Sequence, residues 1–253
     1  DGTKLAALEY EGNLWTSTDS GQSWKLSLTS SPKSWEAIAS SSDGAKLAAT
    51  VSNGSIWTSA DSGFRWTESS GDSPQLWRGI AASSDGTKLA AVVSKGNIWT
   101  SSDAGQSWTE NIDEWEPQDT YDYMYDYLPL EWSDIASSSE GTRLAAVAAG
   151  GGGNAVESRG LSHKGSIWTS TDSGRSWPEM SAALPKATSY AIASSSDGTK
   201  LAALVGHYRG DVADGAEIWM SADAGETWRS PGGLRRSSPR ASQPPPRRGR
   251  PEP

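Results

Sequence analysis

Three stretches of this chain concentrate residue types that can meet a ligand. Residues 113–131 hold Trp115, Tyr121, Tyr123, Tyr125 and Tyr127 among seven carboxylates: Asp113, Glu114, Glu116, Asp119, Asp122, Asp126 and Glu131. Aromatic faces stack on sugars and cations, and carboxylates accept hydrogen bonds. The pattern suits a sugar, a cation or a basic peptide segment. A solvated acidic loop with a few packed rings has the same composition. Both histidines fall in the other two stretches, His163 within 150–165 and His207 within 206–217. With Asp211, Asp214 or Glu217 they supply the donor types of a metal site, but their spacing matches no known ligand pattern. Neither a metal nor a cofactor is expected. The run Gly150–Gly153 is followed by no Gly-Lys-Ser/Thr and reads as a flexible link, not a phosphate cradle. The chain has no cysteine, which excludes disulfides, Cys-ligated zinc and Cys nucleophiles.

Carboxylates of another kind recur in register. Asp19, Asp61, Asp103, Asp172 and Asp223 are each followed by a glycine two residues on (Gly21, Gly63, Gly105, Gly174, Gly225) and by a tryptophan five residues on (Trp24, Trp66, Trp108, Trp177, Trp228). The first two intervals are 42 residues; the later ones are 69 and 51, so insertions follow the third and fourth copies. A second turn, Asp-Gly or Glu-Gly, recurs at Asp1, Asp43, Asp85, Glu140 and Asp197. Asp accepts hydrogen bonds from turn amides, and Gly tolerates positive φ.

These turns divide one unit into four short strands. Strand A is expected over 77–82, B over 88–93, C over 97–101 and D over 106–110. Four strands in about 42 residues is the period of a propeller blade. Apolar residues are only 35% of the chain, but 14 of them are Trp. Each buried Trp removes roughly 150–250 Å² from water, about 4–6 kcal/mol at most, so Trp can carry the core.

Ser17 to Trp24 reads Ser-x-Asp-x-Gly-x-Ser-Trp, and Ser101 to Trp108, Ser170 to Trp177 and Ser221 to Trp228 repeat that pattern. Ser59 to Trp66 departs only at Arg65. Over residues 1 to about 230 the chain resembles the Asp-box, or BNR, repeat propellers of sialidases, sortilins, xyloglucanases and photosystem II assembly factors. That resemblance implies an all-β propeller of four-stranded antiparallel blades, with five repeats visible. In those families the Asp caps turn amides and the Trp packs between sheets, so these Asp, Gly and Trp residues are expected to be structural. The array starts at the A–B turn, so blade one is expected to lack its innermost strand, as in a fragment or an incompletely closed ring.

Alternating strand direction puts the A–B and C–D turns on one face. The B–C and D–A connections then share the opposite face, and with them all three insertions, 111–131, 150–165 and 206–217. Loops of unequal length on one face read as a binding surface, and the uniform opposite face as scaffold. Trp35, Trp77 and Trp132 open strand A at the insertion end; they either line the mouth of the central channel or pack between blades. Blade five has Ser189-Tyr190 there. Asn53-Gly-Ser55 is a glycosylation triplet of the kind that arises by chance in Ser-rich chains.

Residues 231–253 have the composition of a disordered tail and carry six of the arginines. Without them the repeat region has a net charge of −14, which disfavours nucleic acid as a partner. No apolar run approaches the roughly 18 residues of a membrane span. The chain begins at Asp1 without an initiator Met, so the lack of a targeting segment is no evidence of a cytosolic protein; the location is left open, with secreted or organellar somewhat favoured. Sialidase chemistry would require an arginine triad, a Tyr–Glu pair and an Asp acid/base. The Arg-Ile-Pro motif of that family is absent, and Arg78, Arg143, Arg159, Arg175 and Arg209 occupy unrelated repeat positions. The expected function is therefore a noncatalytic binding or scaffold module for a protein or glycan. The alternatives are part of a glycoside hydrolase or a photosystem II assembly-factor-like propeller.

Overall fold

The computed structural model describes residues 2–27, 32–69, 74–111, 130–149, 166–178, 188–209 and 212–230. Every regular element among them is a β-strand, and none is a helix that could cross a membrane. The strands fall into five consecutive antiparallel units. Blade one is β1 (Leu5–Leu8), β2 (Leu14–Ser17) and β3 (Lys25–Leu26); blade two is β4 (Trp35–Ser40), β5 (Leu47–Gly54), β6 (Ile56–Ser59) and β7 (Thr67–Glu68). Blade three is β8 (Gln75–Ala82), β9 (Leu89–Val93), β10 (Ile98–Ser101) and β11 (Thr109–Asn111). Blade four is β12 (Glu131–Ser137), β13 (Leu144–Ala149) and β14 (Ser166–Ser170); blade five is β15 (Thr188–Ser194), β16 (Leu201–Arg209) and β17 (Val212–Ser221). The inner strands stack in order, β4 on β8, β8 on β12 and β12 on β15. Blade one has no described strand inside β1, as expected.

Among the described residues four strands per blade hold only for blades two and three. The outer strand is shorter than expected because Ser107 stays in the turn, its N–H held by Asp103 Oδ1 at 2.9 Å, so pairing resumes only at Thr109. In blade four Pro178 follows Trp177 and has no N–H to donate to a ladder. Blade five keeps a single outer bridge, Met220 to Arg229. The segment 206–217, expected as a loop, is instead largely a continuation of the β16–β17 hairpin. Its ladder pairs His207 with Gly215, and Gly215 (φ +129°) sits at the register shift that follows.

The second strand of blades two, three and four lies between two neighbouring sheets and is therefore apolar on both faces. Leu47–Val51 and Leu89–Val93 are buried throughout, with Ala at the tightest points. Small side chains there let adjacent sheets approach, and Trp fills the wider gaps. Trp35 meets Trp57 edge to face at 6.4 Å, Trp77 meets Trp99 at 6.1 Å and Trp132 meets Trp168 at 6.2 Å.

A repeated contact joins successive blades. Thr16, Thr58 and Thr100 each place Cγ2 2.7 Å from where a Cβ would stand on Gly63, Gly105 and Gly174 of the next blade. Only glycine fits, and its φ near +85° also favours glycine. At two junctions a serine locks the contact. Ser69 Oγ donates to Gly105 O at 2.5 Å and accepts from Trp108 Nε1 at 2.8 Å; Ser27 Oγ makes the same pair of bonds to Gly63 O and Trp66 Nε1. Blade three has Asn111 at that position, and its Nδ2 turns inward to Thr100 Oγ1 at 3.0 Å. Among the described residues Trp177 Nε1 then donates only to Gly174 O, and the buried Trp228 Nε1 finds no acceptor.

Gly21 occupies the same turn position in blade one, at φ +86°, but its nearest neighbour is Leu5 at 3.4 Å. Gly21→Ala and Gly105→Ala should each lose roughly 1–2 kcal/mol to left-handed strain. Gly105→Ala should lose about 1–3 kcal/mol more by overlap with Thr58. Urea unfolding midpoints of the two variants check the difference.

Candidate functional site

The two ends of the sheets differ in how they are closed. At one end the Ser-x-Asp-x-Gly turn bonds to the Asp-Gly turn of its own blade: Ser62 N to Ala45 O at 2.8 Å, Ala104 N to Thr87 O at 2.8 Å and Ser173 N to Thr142 O at 2.9 Å. A ladder between blades runs along the same end, from Ser42 N to Ser84 O, Ser84 N to Ser139 O and Ser139 N to Ser196 O, at 2.7–2.8 Å. Lys46 Nζ and Lys88 Nζ cap the next blade's turn at Asp85 O and Glu140 O.

Within the Ser-x-Asp-x-Gly turns each carboxylate closes a ring of hydrogen bonds. Asp103 Oδ1 accepts from Ser101 Oγ at 2.8 Å and from Ser107 N at 2.9 Å, while Oδ2 accepts from Ser107 Oγ at 2.6 Å. Asp19, Asp172 and Asp223 repeat the geometry. Asp61 lacks the last bond because Arg65 has no hydroxyl. Donation from the Ser or Thr that follows holds the carboxyls of Asp19, Asp103 and Asp223 down at about 2.

This end is not featureless. A groove of about 800 Å³ opens between blades two and three, lined by Lys46, Asp61, Arg65, Glu68, Asp103 and Gln106 among others. A second of about 530 Å³ lies between blades three and four. The expectation of a plain scaffold face is corrected to that extent. The grooves arise where sheets diverge outward from their packed inner strands.

At the other end the chain leaves the sheets for its long connections. It departs at Asn111 and returns at Leu130, departs at Ala149 and returns at Ser166, and turns between Arg209 and Val212. The ladders bring these points together: Glu131 pairs with Ala149, Ala148 with Ser166, and Lys95 N donates to Leu130 O at 3.1 Å. Trp115, Tyr121, Tyr123, Tyr125, Tyr127 and His163 lie outside the described residues. His207 is described only as a backbone position of β16. Among the described residues no three His, Asp or Glu side chains cluster as metal ligands.

Trp35, Trp77 and Trp132 are buried and present no open stacking face. Their rings fill the space between blades. Trp77 Nε1 donates to Gly54 O and Trp132 Nε1 to Gly96 O, each at 3.0 Å, in the B–C turn of the preceding blade. Of the two roles their position allowed, the structure gives them packing.

The inner strands carry polar residues that were not singled out from the sequence. Those of blades two to four each have a bulge just after the Trp, between Trp35 and Ala37, Trp77 and Gly79, and Trp132 and Asp134. The extra residues Glu36 and Arg78 form an ion pair at 2.8 Å between blades two and three. Asp134 stands where the other blades have Ala37, Gly79 and Ala191, so aligning the repeats would have found it. Its Oδ1 accepts from Ile135 N at 2.9 Å and its Oδ2 from Ile192 N in blade five at 3.0 Å. Burial pushes its pKa up against those two donors. Gly79 makes room for it, since a Cβ there would come 3.2 Å from Asp134 Cα.

No protein-family model matches the chain, and a search of curated proteins finds no significant match. Solved structures do resemble it. A GH74 xyloglucanase from Xanthomonas campestris matches with a TM-score of 0.60 at 18% identity, over 90% of this chain and 36% of that one. An ancestral GH74 enzyme matches at 0.65 and 14% identity, over 93% and 31%. YCF48 from Cyanidioschyzon merolae matches at 0.55 and 14% identity, over 90% and 80%. The chain spans about a third of the length of these two GH74 proteins. With the stacked antiparallel sheets, these likenesses define the fold as a β-propeller array.

The lowered aspartates make a signed prediction. A carboxyl at about 2 in the folded chain, against 3.8 ordinarily, adds stability above about pH 4 that is lost as pH falls toward 2. Asp134 has the opposite sign: its raised pKa gives a contribution present at low pH and lost as pH rises through it. The urea midpoint should therefore drop between pH 5 and pH 3, and Asp103→Asn should make that drop shallower.

Proposed function

We propose that the chain is an Asp-box propeller array acting as a noncatalytic binding or scaffold module. Its ligand, a protein or a glycan, is recognised on the rim from which 111–131, 150–165 and 206–217 emerge. One observation carries this: the turns at the opposite end are bonded to one another blade after blade, while the chain leaves the sheets for its two long connections, after Asn111 and after Ala149, at the other end, where the extended β16–β17 hairpin also turns. The carboxylate ring of the Ser-x-Asp-x-Gly turns supports the Asp-box assignment. The net charge of the repeat region speaks against nucleic acid and for a neutral glycan or a basic peptide.

A glycoside hydrolase is the second reading, favoured by the likeness to GH74 propellers. Fold likeness alone does not carry an activity, because the same architecture hosts unrelated functions. A relation to photosystem II assembly factors would equally make the rim a protein-binding surface.

The test uses the full chain and a variant with Tyr121, Tyr123, Tyr125 and Tyr127 changed to Ser. Titration with a xyloglucan oligosaccharide and with an oligo-lysine peptide should give binding to one of the two. The variant should bind at least roughly tenfold more weakly, about 1.4 kcal/mol. Neither xyloglucan nor a fluorogenic sialoside should be hydrolysed. Turnover abolished by changes to Tyr or Glu within 113–131 would establish the hydrolase instead.

A further inference from the structure

The Ser-x-Asp-x-Gly turn of blade two departs from the other four. Asp19, Asp103, Asp172 and Asp223 each bind a Ser or Thr hydroxyl four residues on, where blade two has Arg65. Asp61 Oδ1 still accepts from the backbone N of Arg65 at 2.8 Å, so the turn forms without that hydroxyl. The side chain is left out of the turn. Among the described residues the exposed Arg65 guanidinium makes no hydrogen bond and no ion pair.

A second exception lies three residues further on. In blade three the carboxylate of Glu110 is held by Asn97 Nδ2 at 2.9 Å. Blade two has Ser55 in place of that asparagine. Glu68, at the position of Glu110, is exposed, and its carboxylate has no hydrogen bond or ion pair among the described residues. Arg65 and Glu68 line one and the same groove, that of about 800 Å³ between blades two and three. The matching grooves between blades one and two and between blades three and four hold about 200 and 530 Å³. Blades two and three each pack against a neighbour on both sides, so this groove is interior to the array.

The lining decides what can enter. Leu47 and Leu89, both buried, lie at the base of the groove. Arg65 and Glu68 stand on the blade-two wall and Gln106 on the blade-three wall, offering donors and acceptors together. Lys46 and Arg65 are offset by Asp61, Glu68 and Asp103, so a ligand of either net charge would meet its own sign. An apolar ligand would strip water from Arg65 and Glu68 and give them no partner. A sugar hydroxyl donates and accepts without charge, and one face of a pyranose ring is C–H. We propose that this groove binds a neutral oligosaccharide, with hydroxyls bridging Arg65, Glu68 and Gln106 and a C–H face over the two leucines. Its volume lies within the roughly 300–1,000 Å³ of small-ligand sites. It lies at the end where the turns are bonded blade to blade, so it is separate from the insertion rim.

The test is calorimetric titration of the full chain with cellohexaose, maltohexaose and a high-mannose N-glycan. The first two represent free polysaccharide and the third a glycan carried on protein. One of the three should bind. Arg65→Ser and Glu68→Ala should each weaken that binding at least roughly tenfold, as expected for a lost hydrogen bond to a charged group. Arg65→Ser restores the pattern of the other turns and returns a hydroxyl to Asp61, so its urea midpoint should not fall. Lost binding in that variant is therefore not lost folding. The variant with Tyr121, Tyr123, Tyr125 and Tyr127 changed to Ser should keep this binding, so the groove and the rim succeed or fail separately. The proposal is overturned if none of the three sugars binds, if Arg65→Ser binds like wild type, or if the Tyr variant abolishes the binding. A Glu-Lys copolymer peptide that binds in place of the sugars also overturns it and makes the groove a peptide site.

Discussion

The architecture depends on how closely one sheet can approach the next. A threonine methyl in one blade sits where the next blade has no Cβ, and a tryptophan fills the adjoining space. Glycine is required twice over, by the contact and by a left-handed backbone. The tightness of this seat explains why the second strand is rich in Ala. Larger side chains there would hold the sheets apart and unseat the glycine. Because each sheet is buried by its neighbour, the blades stabilise one another serially, as in other repeat arrays.

The same turns organise the electrostatics. A repeat region with excess negative charge would repel itself if its carboxylates stood free. Many of them accept hydrogen bonds within tight turns, which stabilises their charge locally and costs little long-range strain. A lysine from the preceding blade bonds to the same turn backbone at two junctions. The ion pair of Glu36 with Arg78 and the two-donor cradle of Asp134 lie on the inner strands and couple blades there. Polar groups thus join blades at the turn end and along the inner strands, while Trp and Ala occupy the space between.

Much of this was legible in the sequence because the repeat compares the chain with itself. Strand order, turn chemistry and the shared end of the long connections all follow from position within the unit. What the sequence hid depends on neighbours in space. Trp108 looked like part of a strand, yet the carboxylate of Asp103 keeps the turn open one residue further. Trp35, Trp77 and Trp132 looked able to face a channel, but all three are buried, and the N–H groups of Trp77 and Trp132 reach carbonyls one blade back. The 206–217 segment looked like a loop because Gly206, Gly210 and Gly215 interrupt its pattern. Pairing across the hairpin tolerates them, with Gly215 beside the bulge. Asp134 was visible only as an exception among repeats, and its role emerges only once blade five lies beside it.

The junctions are not equal, and their differences run along the chain. Those from blade one to two and from two to three have the serine lock and a Trp pair in the following blade. The next loses the lock to Asn111 but keeps the Trp132–Trp168 pair. Among the described residues the last has neither: Ser189 replaces the inner-strand Trp, and two buried indole N–H groups, on Trp219 and Trp228, have no described acceptor. Each such orphan costs about 1–3 kcal/mol. Asp134 reaches across this junction and accepts a hydrogen bond from Ile192 N, which offsets part of that deficit. In a serial array the weakest junction opens first, so blade five is the part that frays while blades two and three stay intact. The polar clamp therefore sits beside the junction with the fewest apolar and serine contacts, where a single added bond changes the local opening equilibrium most.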